Sequence, residues 1–324
     1  MDTNPLPPTA PPEDAAGQLE SRPSPVLAPH APRELLLRDV FLGPKGIYPG
    51  VRWLIYLGLA WLTYNIAGGL ILPLRPSYGA PIWWDLIAEA IRMAAAILPA
   101  FLMARIEMHP FADFGLPART AFRRNFWMGT LWGIAGVTAL MLILRLAGAF
   151  EFGSLALHGT RIVKFALYHA AFFLVVGFFE EFLLRGYSQW VLTRAMNFWP
   201  TAVLLSFGFG AIHAFNPSES KIGLAAAGLI GFFLCLTLRR TGDLWWAVGF
   251  HMSWDWGESY LYSVPDSGEM SPGHLLNSSF HGPVWLTGGT VGPEGSVLVF
   301  VVIAALWVLF DRMYPEVKYG KCWR

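Results

Sequence analysis

Three polar clusters interrupt apolar stretches of this sequence, and their residue types suit the activation of water. The first is Glu180, Glu181 and Arg185, set in Gly177-Phe178-Phe179 before and Phe182-Leu183-Leu184 between. On a helix, Glu181 and Arg185 are four residues apart and share a face, so they can pair. Glu180 is rotated by about 100° from Glu181, which leaves it the carboxylate less neutralised by the arginine and the natural general base. The second cluster is Phe209 and His213, again on one helical face, among the small residues Ser206, Gly208, Gly210 and Ala211 that would let another helix approach. The third is His251 and Asp255, where the carboxylate can orient the imidazole or act beside it.

One Glu and two His activate water in two ways, and the residues leave both open. Glu180 can serve as a general base while His251 and Asp255 stabilise an oxyanion. Alternatively Glu180, His213 and His251 can hold Zn²⁺, whose open position carries a water of lowered pKa. Each cluster also has a plain structural reading, as a buried ion pair or a hydrogen-bonded packing residue. Signatures of other intramembrane hydrolases are missing: the chain has no His-Glu-x-x-His, no Gly-x-Gly-Asp and no Gly-x-Ser-Gly with a partner histidine.

The elements that must position these groups are membrane helices. Of the 324 residues 55% are hydrophobic and 14% charged, and the mean hydropathy is +0.46. That is too little charge to cover a soluble surface, for which about a quarter is usual. Eight segments approach the ~20 residues needed to cross hydrocarbon: 51–74, 85–106, 125–149, 162–192, 198–215, 221–239, 244–263 and 295–313. The fourth is too long for a simple span and carries charge at its centre, and the fifth is short. At 1.5 Å per residue, Glu180, His213 and His251 lie about 18, 20 and 11 Å from their cytoplasmic ends. They can converge on one cavity among the fourth to seventh helices only if those helices tilt or bend.

With the N-terminus inside, Arg75, Arg161, Lys164 and Lys221 are the basic residues on the outer side, and Arg92, Arg145 and Arg185 lie within spans. The positive-inside rule then places both termini in the cytoplasm, in a plasma membrane if the source is bacterial. The net charge of +1 with scattered Lys and Arg gives no basic stripe, so no nucleic-acid partner is expected. Lipid and a peptide or lipidated-protein substrate are the expected partners, with oligomeric state open. The two cysteines, Cys235 and Cys322, exclude a disulfide framework.

Residues 1–35 read as a disordered Pro/Ala-rich cytoplasmic tail, not expected to act as a cleavable signal peptide. Residues 36–160 read as N-terminal transmembrane helices, 161–313 as the core that carries the clusters, and 314–324 as a cytoplasmic tail. The 264–294 loop is expected to be an ordered set of turns outside the membrane. Trp53, Trp83, Trp84, Trp199, Trp245 and Trp246 near helix ends suggest interfacial anchors. His158, His169, His274 and His281 are expected to face solvent or the interface. Arg92 and Arg145 are expected to pair with headgroups or other helices, and Glu258, one turn past Asp255, could enter the same cavity.

Glu180-Glu181-x-x-x-Arg185, Phe209-x-x-x-His213 and His251-x-x-x-Asp255 together resemble the EExxxR, FxxxH and HxxxN/D motifs of the CPBP family of CAAX-processing and bacteriocin-processing membrane proteases. The resemblance covers roughly residues 160–310, and GGTVGPEGS at 288–296 is similar to a segment of many bacterial members. It implies an all-α polytopic membrane protein of about eight transmembrane helices enclosing an intramembrane cavity. The implied activity is that of an endopeptidase, in which Glu180 activates water, Glu181 and Arg185 support it, and His213 assists at the water or the metal. His251 and Asp255 fall on the third motif, where CAAX-processing members usually carry Asn as the last residue. An Asp there weakens an amide-donor oxyanion hole and favours a metal-binding or histidine-orienting role. The competing class is a non-catalytic scaffold or bacteriocin-immunity protein, or a proton-coupled carrier.

Overall fold

The computed structural model of the protein describes residues 42–43, 46–78, 81–216 and 218–320. A small antiparallel pair, β1 (Leu42–Gly43) and β2 (Gly46–Ile47), precedes α1 (Pro49–Ile71), which Pro49 opens where a missing N–H costs nothing. There follow α2 (Trp83–Ile106), α3 (Arg124–Leu146), α4 (Thr160–Glu181), α5 (Gln189–Met196), α6 (Phe198–His213), α7 (Lys221–Thr241), α8 (Trp245–Trp256), the single turn α9 (Val284–Thr287) and α10 (Val299–Met313). A second pair, β3 (Phe150–Glu151) with β4 (Ser279–Phe280), ties the loop after α8 to the end of α3. The protein is all-α and polytopic.

All eight apolar segments are helical, but they are not equally long. Among the described residues, five stretches are long and apolar enough to cross a membrane, Pro49–Leu74, Trp83–Ile106, Arg124–Leu146, Thr160–Met196 and Lys221–Thr241, while Phe198–His213 is shorter. The fourth span bends, as its length demands. Between α4 and α5 the chain runs through a π-helical turn, Phe182–Ser188, in which Gly186 leaves helical geometry at φ −82°, ψ −114°. A Cβ on Gly186 would sit 2.7 Å from the Phe182 ring, and Ser188 Oγ caps the Leu183 carbonyl at 2.6 Å. A second π-helical turn, Gly257–Tyr262, continues α8.

Helix α8 is buried along nearly its whole length and packs on α3, α4 and α7. Its seam with α3 is backbone against backbone. A Cβ on Gly129 would overlap the Trp246 carbonyl, one on Gly133 the Phe250 carbonyl, and one on Gly249 the Phe126 carbonyl. Without a hydrophobic drive between helices in lipid, this close approach of small residues holds the pair together, and Ser253 Oγ adds a bond to the Thr130 carbonyl at 2.9 Å. Gly210 plays the same part between α6 and α7, 2.6 Å from the Leu224 carbonyl for an added Cβ, whereas Gly208 faces open space.

Several expectations need correction. Trp84, Trp245 and Trp246 are buried, and Trp246 stacks on Phe250 and meets Phe310 edge-on, so they are core residues; only Trp83 and Trp199 of the six are exposed. Packing among aromatics outweighs an interfacial position once helices surround the ring. His169 is fully buried beside Phe173 and Tyr260, with Nδ1 donating to the Phe165 carbonyl at 2.9 Å, while His158 and His281 are exposed as expected. The start of the C-terminal tail is docked: Arg239 Nη1 donates to the Tyr319 carbonyl at 2.7 Å, and Tyr319 is buried. The 264–294 loop is ordered turns, as expected. The 1–35 tail and Cys322 lie outside the described residues.

Gly133→Leu should abolish the α3–α8 contact and lower stability by more than about 2 kcal/mol, whereas Gly208→Ala should change it by less than about 1 kcal/mol. Thermal unfolding of the two variants in the same detergent checks the contrast.

Candidate functional site

The three clusters meet where α4 breaks. Glu180 and Glu181 occupy the last turn of α4, and Arg185 sits in the π-helical turn that follows. Gly177, one turn earlier, lets α8 lie against α4, since a Cβ there would be only 3.2 Å from the His251 Cβ. His251 is thereby brought to the first motif, 70 residues away in sequence.

Glu181 is the node. Its Oε1 accepts from Arg185 Nη1 at 2.9 Å and from His251 Nδ1 at 2.9 Å. Glu181 and Arg185 are both fully buried. The Arg185 guanidinium lies over the Phe209 ring, 4.6 Å from its centroid, and its Nη2 occupies space that any side chain at Gly231 would take. Phe209 thus packs the ion pair, and its ring also meets His213 and His251.

Glu180 is free of the arginine. Its Oε2 faces His251 Nε2 at 3.6 Å, and Asp255 Oδ2 faces the same nitrogen at 3.4 Å. With an acceptor before each ring nitrogen, His251 is arranged to donate from both. These groups open onto a cavity of about 450 Å³ that also takes in His213, whose Nδ1 donates to the Phe209 carbonyl at 2.8 Å. The size falls within the ~300–1,000 Å³ of small-molecule sites.

The cavity draws on more of the fold than the fourth to seventh spans. Glu89 and Arg92 of α2 line it as an ion pair, so the partner of Arg92 is on its own helix rather than on lipid or a neighbouring helix. Asp266, Ser267, Glu269 and Ser271 of the loop after α8 line it too, with Glu294. Glu89 was readable as an acidic residue in a span but has no motif around it. Asp266 and Glu269 had no sequence signal, because only the fold carries them to the cavity, whereas Glu294 lies in the GGTVGPEGS stretch.

Donors of a four-coordinate zinc site at 2.0–2.2 Å from the metal lie roughly 3.3 Å from one another. Glu180, His213 and His251 do not offer one donor each within 4.8 Å of one another. Among the described residues, the carboxylates that do gather so closely are Glu258, Asp266 and Glu294. As the side chains stand, the three do not meet together at that spacing, although Glu180 Oε2 and His251 Nε2 lie 3.6 Å apart.

Removing Glu181 would strand a buried guanidinium, so Glu181→Ala should destabilise the protein by about 3–5 kcal/mol. Glu180→Gln, at a half-exposed carboxylate, should leave the unfolding midpoint nearly unchanged. Paired melting curves of the two variants provide the check.

Residues 162–257 match the family model described as type II CAAX prenyl endopeptidase Rce1-like. No curated protein matches the chain. The matched segment runs from the start of α4 to just past α8 and contains all seven residues of the three motifs. Over residues 162–257 the chain is thus similar to Rce1-like members of the CPBP and CAAX protease family.

Proposed function

We propose that the protein is an intramembrane endopeptidase in which Glu180 activates the attacking water. The observation that carries this reading is the placement of His251: Glu181 holds one ring nitrogen at 2.9 Å while the other is turned to the uncommitted Glu180 across a cavity. Glu180 takes a proton from water, and the resulting hydroxide attacks the carbonyl carbon of the scissile bond. The oxygen that becomes negative is met by the His251 Nε2 proton. The peptide C–N bond then breaks as Glu180 returns its proton to the departing amine. Asp255 accepts hydrogen bonds and cannot donate one while ionised, so its part is to hold His251 in place. His213, on the cavity wall, assists in positioning the water.

The substrate we propose is a peptide or lipidated protein that reaches the cavity within the membrane. Cleavage of a fluorogenic peptide library by the full chain in lipid tests the reading, with metal content measured on the same samples. Glu180→Ala should lower kcat by about 10²–10⁴-fold, and His251→Ala should also abolish cleavage, without loss of a metal ion. Loss of stoichiometric zinc in Glu180→Ala, His213→Ala and His251→Ala would instead establish a metallopeptidase. No cleavage by folded wild type would favour a partner-binding scaffold.

We further propose that both termini face the cytoplasm and the 264–294 loop faces the other side. Ser279, exposed in that loop, gives the test: Ser279→Cys in a Cys322→Ser background should react with a membrane-impermeant maleimide in intact cells. Labelling only after permeabilisation would reverse the orientation.

A further inference from the structure

Glu258 lies on the π-helical turn that continues α8, and its side chain is fully buried. Neither of its carboxylate oxygens has a hydrogen-bond partner. The indole N–H of Trp254 donates to Glu294 Oε1 at 3.2 Å and also interacts with the nearby Glu258. Asp266, from the loop after α8, and Glu294, from the turn before α10, close around Glu258, so that one oxygen from each of the three lies within 4.8 Å of the others.

The fold builds this convergence. Gly292, at φ +102°, leaves no room for a side chain against the Pro265 carbonyl, which seats the Pro293-Glu294-Gly295 turn directly on the segment that carries Asp266. Ser259 Oγ donates to Asp266 Oδ2 at 3.3 Å and Ser267 Oγ to Glu294 Oε2 at 3.0 Å. Those hydroxyls orient the two outer carboxylates and leave the Glu258 oxygens unmet. Three acidic groups at this spacing, two of them half-buried and one sealed from solvent, call for a counter-charge. Among the described residues, no lysine or arginine pairs with any of them.

We propose that Glu258, Asp266 and Glu294 bind one hard divalent cation of the Ca²⁺ or Mg²⁺ class, which pins the loop after α8 to that helix. A donor set made wholly of carboxylate and hydroxyl oxygens suits such ions and offers nothing to a soft metal. Asp266 and Glu294 also line the cavity that holds His251 and Asp255, so the bound ion braces the cavity wall on the side of the loop. None of the three carboxylates belongs to the three motifs, and ion binding does not depend on the reaction assigned to them.

The test uses the full chain in nanodiscs, stripped with EDTA and titrated with Mn²⁺ under electron paramagnetic resonance. Wild type should bind a single Mn²⁺ that Ca²⁺ or Mg²⁺ displaces, and the stronger competitor names the ion; binding should also raise the unfolding temperature. Glu258→Gln, Asp266→Asn and Glu294→Gln should each weaken binding at least tenfold, while Glu180→Gln should bind as wild type does. If Glu258→Gln fails to fold, the other two variants decide. Absence of stoichiometric binding in the wild type, meaning that the trio is neutralised by shared protons, would overturn the proposal. So would unaltered binding in the Asp266 and Glu294 variants, or loss of the ion in Glu180→Gln.

Discussion

A fully buried guanidinium is the constraint around which this protein is arranged. Arg185 has no access to water, and an unpaired charge in such a place would cost more than most single interactions supply. Its neutralisation requires Glu181 one turn away, the face of Phe209 from α6 and an absent side chain at Gly231 on α7. Each requirement recruits a different helix. The same Glu181 oxygen then receives the His251 ring of α8, so satisfying one charge brings four helices to one point.

That arrangement leaves two adjacent carboxylates with opposite duties. Glu181 is consumed by structure, while Glu180, a step around the helix, keeps its oxygens toward the cavity and is partly exposed. The break at Gly186 belongs to the same logic. A straight helix of 37 residues could not present Glu180 beside α8 and still return its following residues to the packed ring cluster of Tyr187 and Trp190.

How much of this could be read from the residues depends on whether the partners are local. The pairing of Glu181 with Arg185, and of His251 with Asp255, follows from helical spacing, as does the bend demanded by an overlong fourth span. The link from His251 to Glu181 did not follow, because periodicity tells which residues share a face and says nothing of which face lies opposite. Helical spacing therefore gives Asp255 as a partner of the imidazole but not Glu181, which meets the other ring nitrogen. The glycine seam of α3 is present in the sequence as Gly129-x-x-x-Gly133, but spacing does not say which helix lies against it, and of the small residues of α6 Gly208 faces open space. Trp246 lies near a helix end and His169 within a helix, and in both cases neighbouring helices, which the sequence alone does not place, cover the ring.

The seam between α3 and α8 bears on how a long molecule could ever reach His251. Two backbones meet along Gly129, Gly133 and Gly249 with no side chains between them. On the far side the lining is of another kind. Arg92 of α2 and Ile212 of α6 both border the cavity and remain exposed. The exposed border of the cavity thus lies at α2 and α6, with His251 set on the helix of the close-packed seam.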